Sequence, residues 1–366
     1  MASKLTARPP RFVLLAAFVF IVILLSLMFS SKRPYVNDFP ARTNPLEFGT
    51  GLISSISDEA PMADETGTER LAYATFLTAT MANLDDPNDE HDLYFIATRI
   101  LAWQILHSPV TATNRSIPFL VLVTEDISES KRERLTMDGA TVVPVEYLRE
   151  GTDWIHGEMP EWRDVITKLR AWQLTEYSRI LFLDGDMILT GPLDDIFDIP
   201  AATPASTIRN EDIQISDEES PPPDKYVLAS IAEVNPVHAP NPTVENGDFK
   251  DPDYFNAGFF LFSPSQPLFE HYKSIMNIPY RFDPRYPEQN LLNYAHRPEG
   301  SMPWQDLGSK WNIRFPNLDD LASGVQSLHD KWWHPHMDGR LNEFYQEVRW
   351  RMEGFYEAWD QGIGFE

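Results

Sequence analysis

A chain of 366 residues can bury a substantial core, as one large α/β domain or as a domain with appendages. It carries 55 Asp and Glu against 30 Lys and Arg, and the net charge of −25 argues against nucleic acid as a partner, because binding a phosphate backbone needs a basic surface. The absence of cysteine excludes structural disulfides and thiolate metal sites.

Phe12 to Phe29 is a nearly unbroken apolar run, of the roughly 18 residues that mark a membrane span. It is longer than an ordinary signal-peptide core, and Ser30-Ser31-Lys32-Arg33-Pro34 is a poor small-x-small cleavage site, so it is read as an uncleaved anchor. Lys4, Arg8, Arg11 and the amino terminus precede the run, against Lys32 and Arg33 after it. This bias makes residues 1–11 a cytoplasmic tail and puts the rest of the chain in a lumen. The expected location is a secretory-pathway membrane, that of the Golgi apparatus, crossed once. Residues 30–69, rich in Ser, Thr, Pro, Gly and acids without periodicity, read as a flexible stem. The triplet Asn114-Arg115-Ser116 is a glycosylation sequon compatible with lumenal exposure.

A domain is expected over residues 70–338. Leu71 to Thr78 predicts its first strand, followed by a polar break at Asn83-Leu84-Asp85-Asp86-Pro87-Asn88-Asp89. A helix from about Asp92 to His107, a strand at Phe119–Thr124, a helix over Ser128–Met137 and a strand at Thr141–Val145 follow. Alternating strands and helices predict an α/β fold with a doubly wound, mostly parallel sheet. No Gly-x-Gly-x-x-Gly follows the first strand, which argues against a dinucleotide oxidoreductase.

Val165, Leu169, Trp172 and Leu174 fall near a helical period and lead into Arg179-Ile180-Leu181-Phe182-Leu183, an apolar run that breaks on Asp184-Gly185-Asp186. Two carboxylates one residue apart repel unless a cation lies between them, and an oxygen-loving divalent ion carrying phosphates is the usual solution. Asp-Gly between apolar runs is also a two-residue hairpin signal. The order helix, strand, acidic break, and the turn Gly191-Pro192-Leu193 in place of an alternating return strand, favour a metal-diphosphate clamp.

Residues 200–252 depart from any compact pattern, with Asp217-Glu218-Glu219-Ser220-Pro221-Pro222-Pro223-Asp224 and several further prolines. They read as an irregular, solvated surface insertion, with an acceptor-binding lid as the sharper alternative. The buried run resumes at Tyr254-Phe255-Asn256-Ala257-Gly258-Phe259-Phe260-Leu261-Phe262. Asn256 is costly there if unpaired and Gly258 leaves room for a ligand, although a bulge with a self-satisfied Asn fits the same residues. Carboxylates and amides at Asp283, Glu288 and Gln289 stand where a helix begins, where capping is their ordinary use. Three histidines in Leu328-His329-Asp330-Lys331-Trp332-Trp333-His334-Pro335-His336 raise zinc, but His334 and His336 flank a proline and lack helical metal spacing. Over 339–366, Leu341, Phe344, Tyr345, Val348, Met352, Phe355, Tyr356 and Trp359 form an amphipathic helical stripe. It is expected to pack on the domain, since Glu343, Glu347, Glu353 and Glu357 would be repelled by anionic lipid.

Thr167-Lys168-Leu169, Trp172, Tyr177 and Asp184-Gly185-Asp186 resemble the acidic-pair segment of glycosyltransferase family 8, the family of glycogenin and galactinol synthase, and the resemblance runs with gaps from about Leu71 to about Pro335. It implies a sheet of the nucleotide-diphospho-sugar transferase type. Thr78 and Tyr94 match the positions that hold the nucleotide, Tyr94 by packing on uracil, and Tyr254 to Gly258 resemble a strand whose Asn contacts the sugar. Asp283, Glu288 and Gln289 match a segment that orients the sugar and stabilises its developing charge. By the same resemblance His329 completes a manganese site with Asp184 and Asp186, while Lys168 and Lys331 neutralise the leaving diphosphate.

The expectation is therefore a membrane-anchored, manganese-dependent, retaining hexosyl- or N-acetylhexosaminyltransferase. It would use a UDP-sugar donor and a glycan, protein or lipid acceptor. The rival is a catalytically inactive sugar-nucleotide or glycan-binding protein of the same fold. A cytosolic, self-glucosylating protein is disfavoured by the anchor.

Overall fold

A computed structural model of the chain describes residues 69–79, 91–159, 162, 164–209 and 216–363. The expected tail, the anchor at 12–29, the stem up to residue 68 and the break at 83–89 lie outside the described residues. Among the described residues, no helix is long and apolar enough to cross a membrane.

In chain order the strands are β1 (Leu71–Leu77), β2 (Phe119–Val123), β3 (Thr141–Pro144), β4 (Arg179–Leu183), β5 (Met187–Leu189), β6 (Ala205–Ser206), β7 (Lys225–Tyr226), β8 (Leu228–Ser230), β9 (Ala232–Val234), β10 (Phe249–Phe255), β11 (Phe259–Phe262), β12 (Gln305–Asp306), β13 (Ile313–Arg314) and β14 (Ser327–His329). The helices are α1 (Leu93–Leu106), α2 (Glu129–Met137), α3 (Gln266–Met276), α4 (Pro287–Ala295), α5 (Leu318–Ser323) and α6 (Asn342–Asp360). Asp92 and Ser128, at the predicted starts of α1 and α2, accept from the Phe95 and Lys131 amides, which satisfies donors that a helix start leaves open.

The main sheet has the order β12-β8-β11-β4-β1-β2-β3. Strands β1 to β4 pair in parallel, and β11 runs antiparallel to both β4 and β8. Successive side chains of a strand point to opposite faces, so each strand feeds two cores. Ala72, Ala74, Ile180, Phe182, Phe260 and Phe262 pack under α3, α4 and the Val165–Gln173 segment, while Tyr73, Leu77, Leu181, Leu183, Phe259 and Leu261 pack under α1 and α2. This is a doubly wound, mostly parallel α/β sheet. Val165–Gln173 is helical as the period predicts, but wound as a 3-10 helix.

Residues 200–252 differ from the expected solvated insertion. They contain β8, whose Leu228, Ala229 and Ser230 are fully buried inside the main sheet, and β9, which pairs with β10. Val227 to Ala232 is apolar apart from Ser230, but the run is short and flanked by acids and prolines, which hides a buried strand. The acidic stretch is also held down, with Glu219 meeting Tyr294 and Arg281 and Ser220 bonded to Ser274. At the other end α6 lays Tyr345, Val348, Met352 and Tyr356 against Ile96, Ile100 and Trp103 of α1, the face predicted from its stripe.

Candidate active site

The direction of β11 assembles the centre of the site. Because it runs antiparallel to β4, with Phe259 opposite Leu183, the residues just before β11 meet the residues just after β4. The Asp184 amide donates to the Gly258 carbonyl at 2.7 Å. The chain does not turn back at Gly185 into a hairpin, since β5 leaves the main sheet and pairs with β14 in a separate three-stranded sheet, order β13-β14-β5. That pairing sets His329 opposite Met187, beside Asp186.

One ligand atom from each of Asp184, Asp186 and His329 can be chosen so that all lie within 4.8 Å of one another. His329 Nε2 is 3.3 Å from Asp186 Oδ1 and 4.0 Å from Asp184 Oδ2. Nδ1 of His329 is buried without a hydrogen-bond partner among the described residues. A β-carbon added to Gly258 would stand 2.3 Å from His329 Cε1 and 2.9 Å from Asp184 Oδ2, so only glycine leaves the cluster undisturbed. Two carboxylates and an imidazole suit a divalent cation of intermediate hardness, and the residues present fit one.

Lys168 links this cluster to the helical layer. Its Nζ donates to Asp184 Oδ1 at 2.7 Å and to Glu288 Oε1 at 2.9 Å. Burial alone would lower the Lys168 pKa, but the two carboxylates more than offset it and hold it far above the usual lysine value. Burial likewise opposes ionisation of Asp186, yet His329 against it, with Lys331 and Lys168 beyond, keeps its carboxyl well below the ordinary carboxylate range. Asp186 and Lys168 are thus both ionised at neutral pH.

Next to Glu288, Gln289 Oε1 accepts from the Ala257 amide at 3.0 Å and its Nε2 donates to the Tyr254 hydroxyl at 2.8 Å. Asn256 Oδ1 accepts from the Gly258 amide at 2.9 Å. Helix capping does not account for Glu288, because α4 starts with no side-chain cap and the carboxylate goes to Lys168. Tyr94, Trp333 and Lys331 meet at another edge: the Tyr94 and Trp333 rings are 5.1 Å apart edge to face, and Lys331 Nζ is 5.8 Å from the Tyr94 centroid. Thr78, at the end of β1, shares hydrogen bonds with Thr124 at 2.9 Å and the Tyr147 hydroxyl at 3.1 Å.

Asp283, expected to act on the sugar, is not brought into this cluster. Its carboxylate is taken by Arg285, through the backbone amide at 3.0 Å and Nε at 2.7 Å, and its side chain is 43% exposed. A turn places Arg285 within reach, and a local cation outcompetes a distant site. His336 Nδ1 meets Asp330 at 2.5 Å, and among the described residues Asp184, Asp186 and His329 are the metal-competent group found, so the zinc alternative receives no support.

Sequence reasoning missed Glu233 and Arg314. Glu233 accepts from Asn256 Nδ2 at 2.7 Å and pairs with Arg314 Nη1 at 3.1 Å. The signal was present in Ile231-Ala232-Glu233-Val234, where a lone acid interrupts an apolar run. That is the same oddity that singled out Asn256.

An acidic pair and an imidazole at the strand ends of a doubly wound sheet stand where such sheets bind ligands. The profile of the family described as "Glycosyl transferase family 8" matches residues 158–331. An uncharacterized protein of Schizosaccharomyces pombe is 31% identical over 279 residues, covering 69% of this chain and 71% of that protein. Galactinol synthase 7 of Arabidopsis thaliana is 25% identical over 259 residues, covering 62% and 74%. A crystal structure of the galactosyltransferase LgtC with donor and acceptor sugar analogs is similar at a TM-score of 0.46 and 14% identity, over 76% of this chain and 95% of that one. The chain belongs to glycosyltransferase family 8.

Proposed function

We propose that the protein transfers a hexosyl or N-acetylhexosaminyl group from a UDP-sugar to a glycan, protein or lipid acceptor with retention, using manganese. The observation that carries this reading is the bridge from Lys168 to Asp184 and Glu288, which places one buried cation between the metal-competent cluster and the residues beside the expected sugar.

Asp184, Asp186 and His329 would hold the ion, which when bound supplies charge stabilisation to a departing diphosphate. Lys168 holds its proton and adds fixed positive charge beside that cluster. Such preorganised charge is worth most where water is excluded. Gln289 and Asn256, locked by backbone amides, present fixed polar groups to the sugar, and Glu288 supplies a carboxylate to the carbon that becomes positive. Tyr94 offers an aromatic face to the base and Lys331 a second cation to the phosphates. Asp283 takes no part in this scheme.

The full-length protein in detergent, given a panel of UDP-sugars with and without manganese, should release UDP with at least one donor and only with the metal. Binding without turnover would assign the sugar-nucleotide-binding role instead. We further place the catalytic domain in the Golgi lumen, anchored by residues 12–29. In intact vesicles it should resist added protease until detergent is present, and digestion without detergent would reverse the orientation.

A further inference from the structure

Asn256 is a polar side chain in a nearly dry strand junction, only 5% exposed, and its amide is gripped from both ends. Its oxygen accepts from the Gly258 amide at 2.9 Å, while its nitrogen donates to Glu233 Oε2 at 2.7 Å and approaches Gln289 Oε1 at 3.4 Å. The Glu233 side chain, 8% exposed, is itself neutralised by Arg314 at 3.1 Å. A buried carboxylate is tolerated when it is paired and hydrogen-bonded, and this one has both partners.

Arg314 is fixed in turn. On β13 it stands opposite His329 of β14, and its guanidinium lies over the Phe315 ring, 4.6 Å from the centroid. Phe315 is held at a φ of 57°, a costly conformation for an aromatic residue that turns the chain away directly after Arg314. A chain of contacts therefore runs from the strand that carries His329, through Arg314 and Glu233, to Asn256. It joins the small sheet to the main one across residues that are far apart in sequence.

We infer that Glu233, neutralised by Arg314, is a positioning residue for the transfer reaction: it sets the orientation of the Asn256 carboxamide beside the expected sugar. The inference rests on the reading of this site as a UDP-sugar transferase. Glu233 acts through Asn256, and its loss is felt only where Asn256 is present.

The test is a double-mutant cycle on the full-length protein, reading kcat and KM for the donor found active in the UDP-sugar panel, with UDP affinity in manganese as a control. Glu233→Ala and Asn256→Ala should each lower kcat by about tenfold or more with UDP affinity unchanged, and the double variant should be no slower than the worse single one. Because Glu233→Ala empties a buried site, a second pair guards against misfolding. In Glu233→Gln one amide oxygen faces two donors, so Asn256 and Arg314 compete for it and kcat falls. Adding Arg314→Met removes the competitor and should restore kcat toward that of the native chain. Additive losses in the cycle, or no recovery in the Glu233→Gln, Arg314→Met variant, overturn the positioning role while leaving the transferase reading intact. A native chain that binds no UDP and turns over no UDP-sugar overturns both.

Discussion

Asp184 and Gly258 close against each other: the Asp184 amide bonds to the Gly258 carbonyl at 2.7 Å, and a β-carbon on Gly258 would stand 2.9 Å from Asp184 Oδ2. The same added carbon would stand 2.3 Å from His329 Cε1, closer than real β-carbons come, so His329 or the backbone must shift. Gly258→Ala should weaken manganese binding and lower turnover by about 100-fold, the scale of a misplacement near 1 Å. Metal titration and steady-state kinetics check both, and a variant with native metal affinity would remove His329 from the metal site.

Asp186→Asn keeps the side chain's shape and deletes one charge beside His329. Turnover should fall by orders of magnitude, since lost transition-state charge stabilisation typically costs about 3 kcal/mol. Excess manganese should recover part of the loss, as expected of a weakened ligand. Near-native activity without added metal would sink the clamp.

Lys168→Met would leave Asp184 and Glu288 facing each other without their shared cation. Removing one partner of a buried pair costs roughly 3–5 kcal/mol, so the thermal midpoint should drop by several degrees. Adding Glu288→Gln should return part of that stability, because it removes one of the stranded charges. Glu288→Gln alone should slow turnover while leaving the manganese requirement near native. The native lysine titrates far above its usual value, so its contribution is present in full below the unfolded pKa of about 10.4 and is lost only as pH rises through the folded one. Stability measured from pH 6 to pH 9 should therefore show no step from Lys168.

His296 predicts acid sensitivity unconnected with the site. It is fully buried, its Nε2 2.7 Å from the Tyr272 hydroxyl and its Nδ1 2.8 Å from the Met302 carbonyl, and burial pushes its pKa down to about 3. Below about pH 6.5 the unfolded chain binds a proton at this residue that the folded chain refuses. Stability should fall as pH drops from about 6.5 toward 3, by up to about 1.4 kcal/mol per unit. Denaturant melts across that range check the slope. His296→Gln should flatten it, at some cost in stability at neutral pH from the altered hydrogen bonds.

Much of the α/β core was legible because its signals are local. Arg179 to Leu183 reads as a strand from its own residues, and Asp92 and Ser128 mark the helix starts of α1 and α2 through bonds only three residues long. β8 was illegible because Leu228 to Ser230 is too short to show a period, and its place in the main sheet comes from β11 and β12 on either side.

The sequence by itself determined which residues could carry charge and where strands end: the pair Asp184 and Asp186 after β4, the lone Asn256 before β11, and the imidazole at His329. Only the tertiary structure decided which acids work together. Asp283 and Glu288 stand five positions apart, Asp283 in the turn before α4 and Glu288 in its first turn. Arg285, two residues on, captures Asp283, whereas Glu288 reaches Lys168 across 120 positions of the chain. The strand pairing also settled that Asp184-Gly185 is no hairpin, by sending β5 to β14. A carboxylate's partner is whichever cation the fold brings within about 3 Å, and such proximity between distant segments is set by strand register and direction, which no local pattern encodes.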